Sequence, residues 1–410
     1  MYKTAALLIL VLVYLYGLLL RIVDLRAGRN PIPENVGDVY DPETYARWRE
    51  YHRETCRLRL VSHTLGFLPD FLLILLNAYA AFARLFPPDL FLQMFAVFLL
   101  SAAASLVQIP AEWYGTMVIE EKYGFNRSSK KTFWLDQLKS FLLSLLLLVI
   151  IGAVLLGVHQ ALGDWLILVF ALALMGMILG VSFLYPVFSR IFNKFTPLEE
   201  GDLKEKLTGL LEKHGYRVRA IQVMDASRRT SKTNAYFTGF GRMKTIVLYD
   251  TLVQAMTPEE ICAVFAHELG HGLHRDTLKN QILSFLQIAV LAVLAWLTLR
   301  TGALFPDFGF AGVNYGFALL LIMTVEFALV SPLYGLLANA FSRRAEYRAD
   351  AQAVEEGYGD ALVSALKTLA RANFADLAPS PVLVKLSYSH PTLSRRIDAI
   401  RKQGGKRNAG

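Results

Sequence analysis

Five consecutive residues, His267-Glu268-Leu269-Gly270-His271, carry the clearest chemistry in the sequence. Histidines four positions apart lie one turn apart on the same face of an α-helix, so both imidazoles can reach one tetrahedral zinc ion. The glutamate between them can then address a metal-bound water. This H-E-x-x-H pattern is typical of zinc peptidases, and it predicts a hydrolytic zinc centre.

The residues around this motif predict the helix that carries it. Thr257 is a suitable N-cap, Pro258 fits the first helical position, and Glu260 completes a capping box. Apolar side chains then recur at helical spacing, at Ile261, Val264, Phe265 and Leu269. We therefore expect the motif to lie about three turns into an amphipathic helix.

A catalytic zinc ion usually has three protein ligands, so the sequence must supply another beside the two histidines. The best candidate is Glu346, in the charged segment 342–350. Asp350 lies one turn further on the same face and could accept a hydrogen bond from the outer nitrogen of a ligand histidine. The same spacing equally fits a solvated helix end with i,i+4 charge pairs. His274, three positions after His271, is expected to flank the site, because a catalytic zinc needs an open position.

The composition of the chain indicates a membrane protein. Of its 410 residues, 54% are hydrophobic and 19% charged, and the mean hydropathy is +0.39. This is too apolar for a soluble protein of this size. Runs long enough to cross about 30 Å of hydrocarbon lie near residues 4–22, 64–85, 89–112, 140–162, 165–188, 281–305 and 315–339. We predict seven transmembrane helices in a mainly α, multi-pass membrane fold.

Lys and Arg residues fall on alternate loops of this predicted topology. They are frequent in 23–62 and 113–139, whereas 86–88, 163–164 and 302–314 hold none. Because basic loops stay cytosolic, the N-terminus is expected outside and the H-E-x-x-H motif on the cytosolic side. The net charge of +8 belongs to these loops and forms no patch interleaved with aromatic residues, so no nucleic-acid partner is expected.

The two cysteines, Cys56 and Cys262, both fall on the predicted cytosolic side. Thiols stay reduced there. The sequence therefore predicts neither a disulfide nor a thiolate ligand for zinc.

A soluble α+β insert is predicted between the fifth and sixth spans. A charged helix at 199–214 precedes three β-like segments, 217–224, 234–240 and 245–249, which we interpret as a short meander leading into the motif helix. The chain is thus expected to divide into helices 1–5 (1–190), the catalytic insert (191–280), helices 6–7 (281–340) and a C-terminal helical region (341–410). Together these segments are predicted to form one cohesive domain.

Taken with H-E-L-G-H, the downstream E-x-x-A-D at 346–350 resembles the CAAX prenyl protease family of multi-pass membrane zinc metallopeptidases. The likeness extends through nearly the whole chain, in the segments 120–126, 192–195, 197–198, 234–237, 250–252 and 389–391. The resemblance implies seven transmembrane helices that enclose a water-filled chamber, with a zincin-like insert capping it from the cytosolic side.

The resemblance also assigns roles to residues. It implies that His267, His271 and Glu346 bind one Zn²⁺ per chain and that Glu268 is the general base. It implies that Asp350 contacts a ligand histidine and does not itself bind the zinc ion. His390, in Ser389-His390-Pro391, would donate a hydrogen bond to the developing oxyanion or to the substrate backbone.

The segment Asn234-Ala235-Tyr236-Phe237 is the candidate substrate-binding strand. A peptidase must hold its substrate extended, and pairing with an exposed strand edge does so without demanding a particular sequence. The alternative is an ordinary strand of the meander with Tyr236 in the core.

By resemblance, the function is hydrolysis near the C-terminus of prenylated CAAX proteins, at the ER membrane in a eukaryote or the cytoplasmic membrane in a bacterium. Membrane lipid and a peptide or protein substrate are the expected partners, and no oligomeric state is predicted. One alternative is a quality-control peptidase that cuts misfolded or translocon-jammed polypeptides. A more distant one is a seven-span transporter with structural zinc, although structural zinc usually has four protein ligands.

Overall fold

The computed structural model describes residues 1–126, 128–163, 165, 167–169, 171–176, 178–180, 194–228, 235–238 and 243–408. The chain forms two compact units. The first unit comprises Met1–Arg26, Arg49–Gly176 and Ser284–Tyr334; the second comprises Ala27–Trp48, Met177–Leu283 and Gly335–Gly410. The second unit contains the H-E-x-x-H motif together with the C-terminal region. The predicted division into four segments of one cohesive domain stays a prediction.

Long helices dominate the first unit. In chain order the helices that contribute to it are α1 Tyr2–Ala27, α2 Pro42–Leu75, α3 Ala78–Ala83, α4 Leu90–Ser105, α5 Ile109–Tyr114, α6 Lys130–Leu162, α7 Ile167–Gly180, α11 Asp276–Arg300, α12 Leu304–Asp307, α13 Tyr315–Leu321 and α14 Phe327–Glu355. A π-helical segment, Gly115–Glu120, extends α5, and another, Ile322–Glu326, joins α13 to α14.

Six helical stretches of the described residues are long and apolar enough to cross a membrane. They are Tyr2–Ala27, Pro42–Leu75, Leu90–Glu120, Lys130–Val158, Asp276–Arg300 and Tyr315–Glu355. These stretches overlap six of the seven predicted spans, although Pro42–Leu75 covers the span predicted at 64–85 only as far as residue 75. The remaining one, predicted at 165–188, begins in the shorter apolar helix α7, and its part beyond residue 180 lies outside the described residues.

Caps and close contacts fix the helices of the first unit. The Asp89 carboxylate accepts a hydrogen bond from the Leu92 N–H at the start of α4, and Asn314 does the same for Phe317 at the start of α13. A Cβ on Gly316 would lie 2.7 Å from the Met94 carbonyl oxygen, so only glycine lets α13 approach α4 so closely. The core beside this contact is aromatic, with Tyr79, Phe305, Phe308 and Phe317 almost fully buried.

The second unit contains a four-stranded sheet. Its strands are β1 Phe195–Pro197, β2 Arg217–Met224, β3 Ala235–Thr238 and β4 Met243–Tyr249, in the order β1-β2-β4-β3. β2 pairs parallel with β4, whereas β3 pairs antiparallel with β4. The predicted meander is therefore wrong, since β2 and β3 are not neighbours. The physical reason is burial: Ile246, Val247 and Leu248 are consecutive buried residues, a pattern that suits a central strand covered on both faces.

The second unit also contains several helices. They are α8 Asp202–Lys213, α9 Asp250–Ala255, α10 Pro258–Leu273, α15 Gly359–Ala372, α16 Pro381–Ser387 and α17 Leu393–Asn408. Three of them, α8, α9 and α10, contact the sheet. α10 begins at the predicted capping box, in which the Glu260 N–H donates to Thr257 Oγ1 and the Thr257 N–H donates to Glu260 Oε2. Every residue from Ile261 to Ala266 is buried, so α10 is the central helix of this unit.

Candidate metal site

Helices α10 and α14 make a close contact at the motif. A Cβ on Gly270 would lie 2.8 Å from Ala349 Cα and 3.0 Å from Gln352 Cβ, so the glycine of H-E-L-G-H is required for this approach. On α10, His271 directly follows Gly270 and His267 lies one turn before it. On α14, Glu346 lies one turn before Ala349. The close approach thus brings the predicted ligands together.

The three predicted ligands form one cluster. His267 Nε2 lies 3.6 Å from Glu346 Oε2, and His271 Nε2 lies 3.4 Å from Glu346 Oε1. One donor atom from each residue lies within 4.8 Å of the others. Tetrahedral zinc with bonds of about 2.0–2.3 Å holds neighbouring donor atoms about 3.3–3.8 Å apart. The cluster therefore has the dimensions of a zinc site.

A carboxylate holds the outer nitrogen of each histidine. His267 Nδ1 lies 2.9 Å from Asp350 Oδ1, and His271 Nδ1 lies 3.1 Å from Asp276 Oδ2. A neutral imidazole that donates from Nδ1 presents the lone pair of Nε2 toward Glu346, which is the tautomer a metal requires. Asp350 lies where the sequence predicted it, but Asp276 was missed. Its position in the first turn of α11, five residues after His271, was the available signal.

Two arginines that the sequence analysis missed complete the network. Arg396, on α17, donates from Nε and Nη2 to the Asp350 carboxylate at 2.9 and 2.6 Å, and its Nη1 lies 3.2 Å from Glu346 Oε2. Burial alone would lower the pKa of Arg396, but Asp350 outweighs this and raises it, so the guanidinium stays charged. Arg348 donates to Asp276 at 2.8 Å. Each carboxylate behind a histidine is therefore itself fixed by an arginine.

Glu268 follows His267 on α10 and is half-buried. Among the described residues its carboxylate makes no ion pair or hydrogen bond, in contrast to the carboxylates of Asp350 and Asp276. Burial raises the pKa of Glu268 above its ordinary value. A carboxylate with a raised pKa and no fixed partner is suited to exchanging protons with a bound substrate or water.

His390 also lies at the cluster. Its Nε2 is 3.3 Å from Glu346 Oε1, and 61% of its side chain is exposed, whereas Glu346 is almost fully buried. Ser389 Oγ hydrogen-bonds His390 Nδ1 at 2.8 Å. His274, in contrast, donates from Nδ1 to the Gly270 carbonyl oxygen at 2.8 Å, which keeps it on the flank of the site as expected.

The candidate substrate-binding strand corresponds to β3, at an edge of the described sheet. Ala235 is buried, and Tyr236 packs against the small cluster of Met224, Ala226 and Val247. Asn234 lies outside the described residues, and of Phe237 only the strand pairing with Ile246 is described. The edge position and the packed tyrosine are compatible with either sequence interpretation, and substrate binding by this strand stays a prediction.

The cluster fits a divalent cation. Among the described residues Glu346 Oε2 is buried and accepts no hydrogen bond, although Arg396 Nη1 lies near it. A buried carboxylate oxygen without a donor is uncommon and points to a missing positive partner. Burial would lower the pKa of His271, but the Glu346 and Asp276 carboxylates outweigh this and raise it to about 9. A proton on His271 thus occupies the position that a cation would take.

Comparison with known proteins agrees with this geometry. The family model "CAAX prenyl protease N-terminal, five membrane helices" matches residues 4–194, and the model of peptidase family M48 matches residues 197–403. CAAX prenyl protease 1 homolog of Oryza sativa subsp. japonica is 32% identical over 99% of both chains. CAAX prenyl protease 1 of Saccharomyces cerevisiae is 30% identical over 92% of this chain and 89% of its own length.

A solved structure supports the same assignment. The crystal structure of S. mikatae Ste24p matches with a TM-score of 0.85 at 26% identity, covering 98% of this chain and 99% of that one. The fold and the metal-binding cluster define a multi-pass membrane metalloprotease. The chain belongs to peptidase family M48, among the CAAX prenyl proteases. The transporter alternative therefore lacks support.

Proposed function

We propose that this protein is a zinc-dependent endopeptidase that hydrolyses peptide bonds near the C-terminus of prenylated CAAX proteins. One observation carries the proposal: Nε2 of both motif histidines faces the Glu346 carboxylate, while each Nδ1 is held by a second carboxylate. The substrate class comes from the relatives, several of which are named CAAX prenyl protease 1.

His267, His271 and Glu346 would hold one zinc ion per chain. A zinc ion bound there supplies Lewis acidity, which makes a water more acidic and polarises the substrate carbonyl. Asp350 and Asp276 act on the ligands: each accepts a hydrogen bond from one histidine and so fixes the ring and its tautomer. Arg396 offsets the negative charge of Asp350 and Glu346, two buried carboxylates one turn apart on α14.

Glu268 would serve as general base and then as general acid. Its carboxylate accepts a proton from the attacking water and returns that proton to the leaving amine. Both steps are efficient when the pKa of the group lies between those of its partners, and burial shifts the pKa of Glu268 upward in that direction.

His390 and β3 would orient the substrate. His390 is the most exposed side chain of the cluster, so its imidazole can donate to the carbonyl oxygen as negative charge develops there. β3 offers an edge to which an extended peptide can add by main-chain hydrogen bonds. The segment containing Asn234, Ala235, Tyr236 and Phe237 would thus bind the peptide with little demand on its sequence.

The distribution of basic loops supports an active site on the cytosolic side, at the ER membrane in a eukaryote or the cytoplasmic membrane in a bacterium. A lipid-anchored peptide suits an enzyme built from apolar helices. Its prenyl chain can stay in apolar surroundings while the peptide reaches the metal.

The test of the mechanism is the variant Glu268→Gln, purified as the full chain. We expect it to retain one zinc per chain at the cluster and to cleave a farnesylated CAAX peptide about 10²–10⁴-fold more slowly. Glu259→Gln is the matched control, because Glu259 lies on the same helix but pairs with Lys206 on the surface. A Glu268→Gln protein that holds zinc and cleaves at the wild-type rate would overturn the mechanism.

The test of the substrate class is a fragment profile for one peptide in prenylated and unprenylated forms. We expect the prenylated form to be cut faster and near its C-terminus. Equal rates at scattered positions would instead favour the quality-control alternative, in which exposed unfolded chain is recognised.

A further inference from the structure

A second cluster of potential ligands lies in the first unit. Asp24 lies near the C-terminal end of α1, and His52 and Cys56 lie one turn apart in the polar, arginine-rich part of α2. One donor atom from each of the three side chains lies within 4.8 Å of the others. Two ligands at i and i+4 plus a carboxylate from another helix is the same arrangement as at the H-E-x-x-H cluster.

The donor atoms have the spacing of a tetrahedral site. Cys56 Sγ lies 3.5 Å from Asp24 Oδ2 and 3.5 Å from His52 Nε2, and His52 Nε2 lies 3.8 Å from Asp24 Oδ1. These values match the separation of about 3.3–3.8 Å between neighbouring ligands of zinc. Three groups on two helices therefore need little movement to bind one ion.

Burial distinguishes this cluster from a chance surface group. Cys56 is 2% exposed, and the side chains of His52 and Asp24 are 12% and 16% exposed. A buried free cysteine ordinarily packs as a small apolar residue, but this thiol faces an imidazole and a carboxylate. Arg59 Nη1 lies 3.6 Å from Asp24 Oδ2 and is mostly exposed, so it can turn toward solvent when a cation arrives.

The ligand types select the ion. A thiolate with an imidazole suits zinc and similar borderline cations, whereas magnesium and calcium prefer oxygen ligands. Binding would release the proton of the Cys56 thiol and replace the contact of His52 Nε2 with the Asp24 carbonyl oxygen. The fourth position would be left to water.

We propose that Asp24, His52 and Cys56 bind a second divalent cation of the zinc class, which ties the end of α1 to α2. This departs from the sequence-based expectation that Cys56 ligates no metal. The proposal does not rest on the proposed peptidase activity. Its alternative is a cluster held together by hydrogen bonds alone, without an ion.

Cobalt substitution of the full chain tests the proposal. The H-E-x-x-H cluster offers two imidazoles and a carboxylate, so only the second cluster can give a thiolate-to-cobalt charge-transfer band in the near ultraviolet. We expect two metal equivalents per chain and this band in the wild type. One equivalent and no band in the wild type would overturn the proposal without any variant being needed.

Variants assign the band to a residue. Cys56→Ser should lose the band and one equivalent, while Cys262→Ser, which changes the other buried cysteine, should keep both. His271→Ala should lose the other equivalent and keep the band. A band that survives in Cys56→Ser, or that disappears in Cys262→Ser, would contradict the assignment.

Discussion

The two clusters share a plan and differ in their surroundings. Each places two ligands one turn apart on one helix and adds a carboxylate from another. Behind His267 and His271 stand two further carboxylates, each fixed by an arginine. Beside Asp24, one arginine approaches the carboxylate itself. The i,i+4 spacing therefore creates a potential metal site, and its neighbours decide what the site can do.

The nearest glutamates show the difference most clearly. Glu268 directly follows a ligand and makes no fixed contact among the described residues. Glu54 lies two residues after His52, which turns it to another side of α2, and its carboxylate binds Lys122 Nζ at 2.7 Å. The first cluster thus has a carboxylate available as a base, whereas the second has only ligands. This comparison predicts hydrolysis at one cluster and, at the other, an ion that links α1 to α2 without taking part in a reaction.

The largest effect is expected from Glu346→Ala. The change removes the carboxylate that faces both Nε2 atoms, so zinc at this cluster and peptide cleavage should both be lost. Metal analysis and the farnesylated-peptide assay measure this. Glu355→Ala, at an exposed position of the same helix, is the control and should behave as wild type. Full cleavage by the Glu346 variant would exclude it as a ligand.

The carboxylates behind the histidines should matter less. Asp350→Asn and Asp276→Asn keep the shape but weaken the hold on Nδ1, so zinc affinity should fall by about 10–100-fold. Asp350 should show the larger loss, since the change also removes one of the two charged partners of the buried Arg396 and leaves it only Glu346. Competition with a chelator measures the affinities. Identical zinc affinities in both variants and the wild type would mean that these two carboxylates do not influence the ligands.

Local rules were sufficient for the parts of this site that lie close in sequence. The capping box, helix α10 and the pair His267 and His271 follow from spacing over a few turns, and the structure confirms that helix. Spacing alone left the role of Glu346 as a metal ligand open, and only the family resemblance assigned it. Arg396 could not be predicted, because nothing in its own segment indicates that its side chain reaches Asp350 and Glu346 on α14.

The sheet shows the same limit. The positions of β2 and β4 were predicted from alternation, but their parallel pairing was not. Strand order depends on which strand buries both faces, and that is settled by helices that pack from distant parts of the chain. Cys56 is a further case: its spacing to His52 is visible in the sequence, but Asp24 reaches them only through the pairing of α1 with α2.

A smaller effect is expected from pH on zinc binding at the H-E-x-x-H cluster. The pKa of His271 without metal is raised to about 9, so the imidazole is protonated below that pH and must lose a proton to bind zinc. Affinity should therefore fall as pH decreases from about 9, by about tenfold per pH unit for one proton. The affinity at each pH is measured as the activity that metal-free protein recovers in buffered concentrations of zinc. A zinc affinity that stays constant from about pH 7 to about pH 9 would mean that His271 carries no proton to release.

The smallest effect is expected from Glu54→Gln. The carboxylate contacts Lys122, and an exposed ion pair contributes little to stability, so folding should be nearly unchanged. Peptide cleavage should stay within about a factor of two of wild type, because no reacting group depends on Glu54. The same assay applied to Glu268→Gln provides the contrast. Should Glu54→Gln instead lose cleavage as Glu268→Gln does, a glutamate beside the second cluster would take part in the reaction, and the division between a catalytic and a non-catalytic cluster would fail.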